Sequence, residues 1–157
     1  MIRTSDVIDG DVHIRPVETT DLTSLVALDA AIFQGLAYPR FVLRQLFDLH
    51  RDWWLVADHP EGLRGYSLGV PTFDGRFAWL LGLGVRREFR GRGYGRSLTV
   101  NSLRLLETAG VHDVYLTVEP ANQGAIELYR EVGFKVTALS KDYFGPGNDR
   151  IVMTARL

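Results

Sequence analysis

At 157 residues and 46% apolar, the chain has room for one domain with a sizeable core and no composition that would sustain a long disordered tail. Its 18 basic and 19 acidic side chains leave a formal charge of -1, which argues against a broad electrostatic surface for nucleic acid or membrane and turns a local arginine cluster toward a small anion. With no cysteine there is no disulfide scaffold, no Cys-ligated zinc and no thiol nucleophile.

The opening MIRTSDVIDGDVHIRP has neither an apolar signal core nor an amphipathic transit pattern. No segment reaches the roughly 20 apolar residues of a membrane span. The expectation is a cytoplasmic protein with one domain over residues 1–157, of which residues 1–11 form a flexible N-terminus. VHIRPVE reads as a first strand. Thr20-Asp21 then opens a helix carried by Leu22, Leu25, Val26, Leu28 and Ile32. A second helix follows Tyr38-Pro39, with Val42, Leu46 and Leu49 at helical spacing. WWLVAD, GLRGYSLGVPTF and RFAWLLGLGV are aromatic and branched, and turn residues separate them, as in hairpin-connected antiparallel strands.

The stretch RGRGYGRS, Arg90 to Ser97, lies between the last of these strands and the helix SLTVNSLRLLETAG, whose Leu98, Leu105, Leu106 and Ala109 share one face. VYLTV follows as a strand, so strand, glycine-rich turn, helix and strand form a βαβ unit with two parallel strands. A further helix over Ala121 to Val132 is stopped by Gly133, and two strands, roughly Phe134 to Tyr143 and Arg150 to Arg156, close an α/β chain with a mixed sheet.

A helix N-terminus offers unpaired N–H groups and a partial positive charge, and glycines ahead of it let an anion approach the backbone. Gly91, Gly93 and Gly95, with Arg90, Arg92 and Arg96 among them, suit a pyrophosphate, although a tight turn with solvated arginines has the same spacing. The stretch matches G-x-G-x-x-G poorly and lacks the lysine of a P-loop. It also lacks the last glycine of a G-x-S-x-G elbow, and it is too brief for an RGG segment. His13, His50, His59 and His112 have no metal-ligand spacing.

Arg90-x-x-Gly93-x-Gly95 resembles the R/Q-x-x-G-x-G/A signature of the GNAT superfamily of acyl-CoA-dependent N-acetyltransferases. IRPVETTDLTSL is similar to the first strand and helix of that family, and PANQGAIELYREVGF to its motif N-x-x-A-x-x-L-Y-x-x-x-G-F. The resemblance covers about Val12 to Leu157. The tail ALSKDYFGPGNDRIVMTARL is similar to the protein N-terminal, or ribosomal-protein, acetyltransferase branch.

The resemblance implies a mixed, mostly antiparallel central sheet flanked by helices around a β-α-β cofactor-binding core. It also implies acetyl-CoA as co-substrate, with no metal. The backbone of Leu83 and Val85 would pair with the pantetheine amides, and Arg90, Gly91, Arg92, Gly93, Gly95, Arg96 and Ser97 would hold the pyrophosphate. Asn122 would contact the cofactor arm, Tyr129 would protonate the leaving thiolate, and Tyr38 and Tyr143 would wall a groove for a peptide N-terminus. The positions that hold a general base in related protein acetyltransferases are here Trp79 and Thr117, neither of which is basic; Glu119, two residues past Thr117, is the nearest carboxylate and lies on the same face if the strand continues.

The reading is therefore an N-acetyltransferase acting by direct attack of a primary amine, a protein or peptide α-amine in the first instance. It would have no nucleic-acid or membrane partner and work as a monomer or homodimer. A small-molecule amine acetyltransferase and a catalytically weak acyl-CoA-binding domain are the alternatives.

Overall fold

The computed structural model describes residues 10–157; residues 1–9 of the expected N-terminal tail lie outside it. Seven strands form one sheet in the order β1-β2-β3-β4-β5-β7-β6. They are β1 (His13–Pro16), β2 (Trp54–Asp58), β3 (Gly65–Pro71), β4 (Phe77–Val85), β5 (Asp113–Val118), β6 (Lys135–Ser140) and β7 (Arg150–Arg156). All neighbours are antiparallel except β4 and β5, which are parallel as the βαβ reading requires. Four helices complete the fold: α1 (Leu22–Phe33), α2 (Arg40–His50), α3 (Tyr94–Thr108) and α4 (Gln123–Glu131). No single helix among the described residues is long and apolar enough to cross a membrane.

Period-2 alternation divides the sheet's side chains between two cores. Trp54, Val56, Tyr66 and Leu68 of β2 and β3 face α1 and α2, where Leu25, Leu28, Leu43 and Phe47 are buried against them. Ala78, Leu80, Val114, Leu116, Met153 and Ala155 of β4, β5 and β7 point the other way, to Leu103 and Leu106 of α3 and Ile126 and Tyr129 of α4. The first face of β4, β5 and β7 beyond α1 therefore carries Trp79, Tyr115, Val152 and Arg150. There Trp79 stacks on Tyr115 with centroids 5.2 Å apart.

Two boundary differences from the sequence reading bear on the site, and one conditional continuation of a strand is not made. β6 stops at Ser140 because the loop from Lys141 takes the chain through left-handed residues at Asp142, Gly145 and Gly147, with φ of 51°, 102° and 77°. α3 starts at Tyr94, so Gly95, Arg96 and Ser97 lie in its first turn and only Gly91 and Gly93 precede it. β5 ends at Val118, where Pro120 removes a donor and Asn122 N–H closes a turn on the Glu119 carbonyl at 2.9 Å. The alternation that would set Glu119 beside Thr117 therefore does not extend to it, and Glu119 is an exposed turn residue.

Candidate active site

The site is built where β4 and β5 part. Their pairing runs from Phe77–Asp113 to Leu80–Leu116 and ends there. From Leu81 to Val85 the β5-facing edge of β4 has no strand partner among the described residues. The separation coincides with a bulge: β3 pairs Leu68 with Gly82 and Gly69 with Leu80, leaving Leu81 as the extra residue, 43% exposed. Leu83 thus leaves its backbone N–H and C=O, and Val85 its N–H, on an edge without a strand partner, the kind of edge to which an amide-bearing ligand can add.

At the end of β4 the chain passes a short 3-10 turn over Arg87–Phe89 and enters the glycine stretch. Gly91 and Gly93 both take left-handed conformations, φ 76° and 85°, and Gly93 is the N-cap of α3. Ser97 N–H makes the first bond back to the cap, on the Gly93 carbonyl at 3.0 Å. The N–H groups of Gly91, Gly93, Gly95 and Arg96 find no acceptor among the described residues and form a concavity for an anion. Gly95 serves a different purpose. A Cβ there would lie 3.4 Å from Leu128 Cδ1 and 3.8 Å from Val85 Cγ2, so its missing side chain widens the passage between the end of β4 and α4.

The arginines divide their work. Arg90 turns back, its Nε donating to the Val85 carbonyl at 3.1 Å, and so ties the start of the glycine turn to the end of β4. The carbonyl at the strand's end is open to this donor because it lacks a sheet partner on the β5 side. Phe89 is flanked by Arg64, 3.6 Å from its ring centroid, and Arg92, at 5.6 Å. Arg92 and Arg96 remain exposed beside the turn.

Asn122 is the N-cap of α4, its Oδ1 accepting from Ala125 N–H at 3.2 Å, which leaves its amide N–H₂ without a bond to the described residues. Tyr129, on α4, is 8% exposed and packs edge-on to Phe134 with centroids 5.8 Å apart. Burial pushes its phenol up to about 12, so it keeps its proton throughout the neutral range. Its hydroxyl has no hydrogen-bond partner among the described residues. Tyr143 is 41% exposed and stands edge-on to Phe144 in the β6–β7 loop, while Tyr38 is half-buried between α1 and α2.

Tyr38 leads to a feature that the sequence reading missed. Asp29 of α1, with no exposed surface, accepts from Tyr38 N–H at 2.6 Å and from the Tyr66 hydroxyl at 2.6 Å. The Tyr66 ring covers Gly82, where a Cβ would come within 2.7 Å of it, so the network braces both the α1–α2 loop and the bulged part of β4. The signal was a lone carboxylate on the buried face of α1, four residues after Leu25 and three before Ile32. Burial raises the Asp29 pKa, and its two hydrogen bonds offset this only in part. Asp29 therefore stabilises the fold in full below its unfolded value of 3.8, and this contribution is lost as pH rises through the raised folded value. In urea titrations Asp29→Asn should flatten that fall, whereas Asp29→Ala should cost about 1–3 kcal/mol for each donor left without an acceptor. An Asp29→Ala protein as stable as the parent would remove the bracing role.

The sequence matches the acetyltransferase (GNAT) family over residues 22–134. It is 37% identical over 157 residues to an N-alpha-acetyltransferase of Sulfolobus acidocaldarius, with 92% of each chain covered. A mycothiol acetyltransferase of Beutenbergia cavernae is 37% identical over 90 residues, which span 57% of this chain and 30% of that one. Among solved structures, Ard1 from Thermoplasma volcanium shares the fold with a TM-score of 0.85 at 22% identity, covering 94% of this chain and 98% of the other. The family match runs from α1 to the start of β6 and so contains the parted strands, the glycine turn and α4 together. The chain belongs to the acetyltransferase (GNAT) family and is an acetyl-CoA-dependent N-acetyltransferase.

Proposed function

We propose that the protein transfers the acetyl group of acetyl-CoA to the α-amine of a protein or peptide N-terminus. The observation that carries the acceptor class is the likeness to an N-alpha-acetyltransferase across 92% of both chains, whereas the mycothiol acetyltransferase matches over 57% of this one. The free edge of β4 at Leu83 and Val85 would hold the pantetheine arm, and the turn from Arg90 to Ser97 the pyrophosphate. Asn122 would add its amide N–H₂ to the arm. The amine nitrogen attacks the thioester carbonyl carbon, the carbon–sulfur bond breaks, and Tyr129 gives its proton to the departing sulfur. The nitrogen's proton passes to Glu119 or to water. Tyr38 and Tyr143 would line the two sides of the acceptor groove.

The chemistry of the amine supports the same acceptor. With reference pKa values of about 7.8 and 10.4, roughly a quarter of an exposed α-amine is neutral at about pH 7.4, against about one in a thousand for lysine. Trp79 and Thr117, which cannot act as bases, leave a site that works best on an amine already neutral. The test compares a peptide with a free N-terminus against the same peptide N-terminally blocked and carrying one internal lysine, by release of CoA thiol. Faster transfer to the free α-amine is expected. Faster transfer to the blocked peptide would overturn the assignment. Transfer to small amines alone would favour the second reading, a small-molecule acetyltransferase, which the partial likeness to the mycothiol enzyme motivates.

A further inference from the structure

Arg150, the first residue of β7, is 7% exposed, yet no carboxylate among the described residues pairs with it. Its contacts are one bond from Nη1 to the Asp149 carbonyl at 2.7 Å and the face of Phe144, 5.0 Å from the guanidinium carbon. The carboxylates beside it in the chain are committed elsewhere. Asp149 accepts from Asp142 N–H at 2.9 Å, and Asp142 from Gly147 N–H at 2.7 Å, which together fold the β6–β7 loop. Glu119, which follows Val118, the register partner of Ile151, forms no ion pair. One carbonyl satisfies one of its five donors, and no Arg150 nitrogen is both sealed from the surface and unpartnered, so the remaining N–H groups reach solvent and can meet an incoming anion.

The position of this cation connects it with the acceptor. Ile151, Met153 and Ala155 pack toward α3 and α4, so Arg150 and Val152 point to the opposite face of the sheet. That face carries Trp79 and Tyr115, and Arg150 stands at the end of β7 where β4 and β5 part. Phe144, which lies over it, is itself 54% exposed, so the cation sits one ring beneath the surface of the loop that bears Tyr143.

We propose that Arg150 is a recognition point for a carboxylate carried by the acceptor, so that the enzyme selects amines with an acidic group close to the one acetylated. This rests on the acetyl-acceptor reading above and narrows it. A planar guanidinium takes a carboxylate through two parallel N–H···O bonds, which gives orientation as well as attraction and would hold the amine at a fixed distance from the parted strands. The carboxylate has two sources, an Asp or Glu side chain in the first residues of a peptide or the acid of a free amino acid.

The experiment measures kcat/KM for two pairs of acceptors. One pair is a peptide with Glu as its second or third residue and its Gln counterpart; the other is free alanine and its amide. The parent enzyme should prefer the acidic peptide by about tenfold or more, the ratio should fall to about one in Arg150→Gln, and Arg150→Lys should lie between them. Because each ratio is taken within one enzyme preparation, partial loss of folded protein cancels. Peptides acetylated with a parent ratio near one, or with an equal ratio in parent and Arg150→Gln, would overturn this proposal and leave the α-amine reading standing. An Arg150-dependent preference confined to the free amino acid would uphold the carboxylate site and overturn the peptide reading instead. No transfer to any of the four acceptors would overturn both.

Discussion

Gly95→Val should fold and yet lose the stabilisation that acetyl-CoA confers. The new side chain would begin at a Cβ 3.4 Å from Leu128 and 3.8 Å from Val85, ordinary contact distances, so the fold without ligand has room for the first atom. Its methyl groups would then extend between the end of β4 and α4, where the proposed path of the pantetheine arm to the free edge of β4 would run. Ligand at about a hundred times its dissociation constant adds about 2.7 kcal/mol to the parent's stability by mass action, a rise of several degrees in melting temperature. The variant should show almost none of that rise. The companion substitution Gly93→Val acts differently, since φ of 85° strains any branched side chain, and it should lower the melting temperature before ligand is added. A normal ligand-induced rise in Gly95→Val would show that the arm does not pass there.

Tyr129→Phe should lower kcat by about 10²- to 10⁴-fold while leaving cofactor affinity within a few-fold of the parent. The ring would keep its edge-on contact with Phe134, so the change removes only the hydroxyl from the α3–α4 core. Because burial holds the phenol at about 12, it lies about 3.5 above a free thiol at about 8.5, so proton transfer to a fully solvated thiolate would be uphill. The same burial also disfavours a bare thiolate beside it, and this narrows the gap during the reaction. The pH profile follows from the sign of the shift. A phenol that must be protonated, with its pKa raised, stays competent until about pH 12, so the parent should show no fall in kcat with a midpoint near 10. An alkaline fall near 10 would show that burial does not raise the phenol, and a Tyr129→Phe enzyme with the parent's kcat under conditions where chemistry limits the rate would return Tyr129 to a purely packing role.

Local information settled the order and type of the elements, because period 2 or 3.6 and the turn residues act over a few neighbours. Leu98 and Leu106 are buried on α3 as their spacing implied, and Gly110 and Gly133 both take the left-handed conformation that follows a helix end. The glycine turn ahead of α3 was legible for the same reason: Gly91 and Gly93 supply the positive φ values, and their place between strand and helix fixes what their N–H groups can meet. Asn122 and Tyr129 were singled out as candidates through a motif that spans one helix and its cap.

What the sequence alone left undecided depends on partners far along the chain. The free edge of β4 exists because β5 pairs with it only as far as Leu80, and the bulge at Leu81 is a mismatch between two strands that neither strand's own pattern records. Arg90 turned back because a carbonyl five residues earlier lacked a partner, and Glu119 left the strand face because Pro120 and the turn to Asn122 ended β5 before it. Asp29 and Arg150 read in the sequence as one acid on a helix and one base at a strand end. Tertiary packing made the first a buried acceptor for Tyr38 and Tyr66, and the second a buried cation without a counter-charge, since burial is set by which elements close over a side chain and not by its neighbours in sequence.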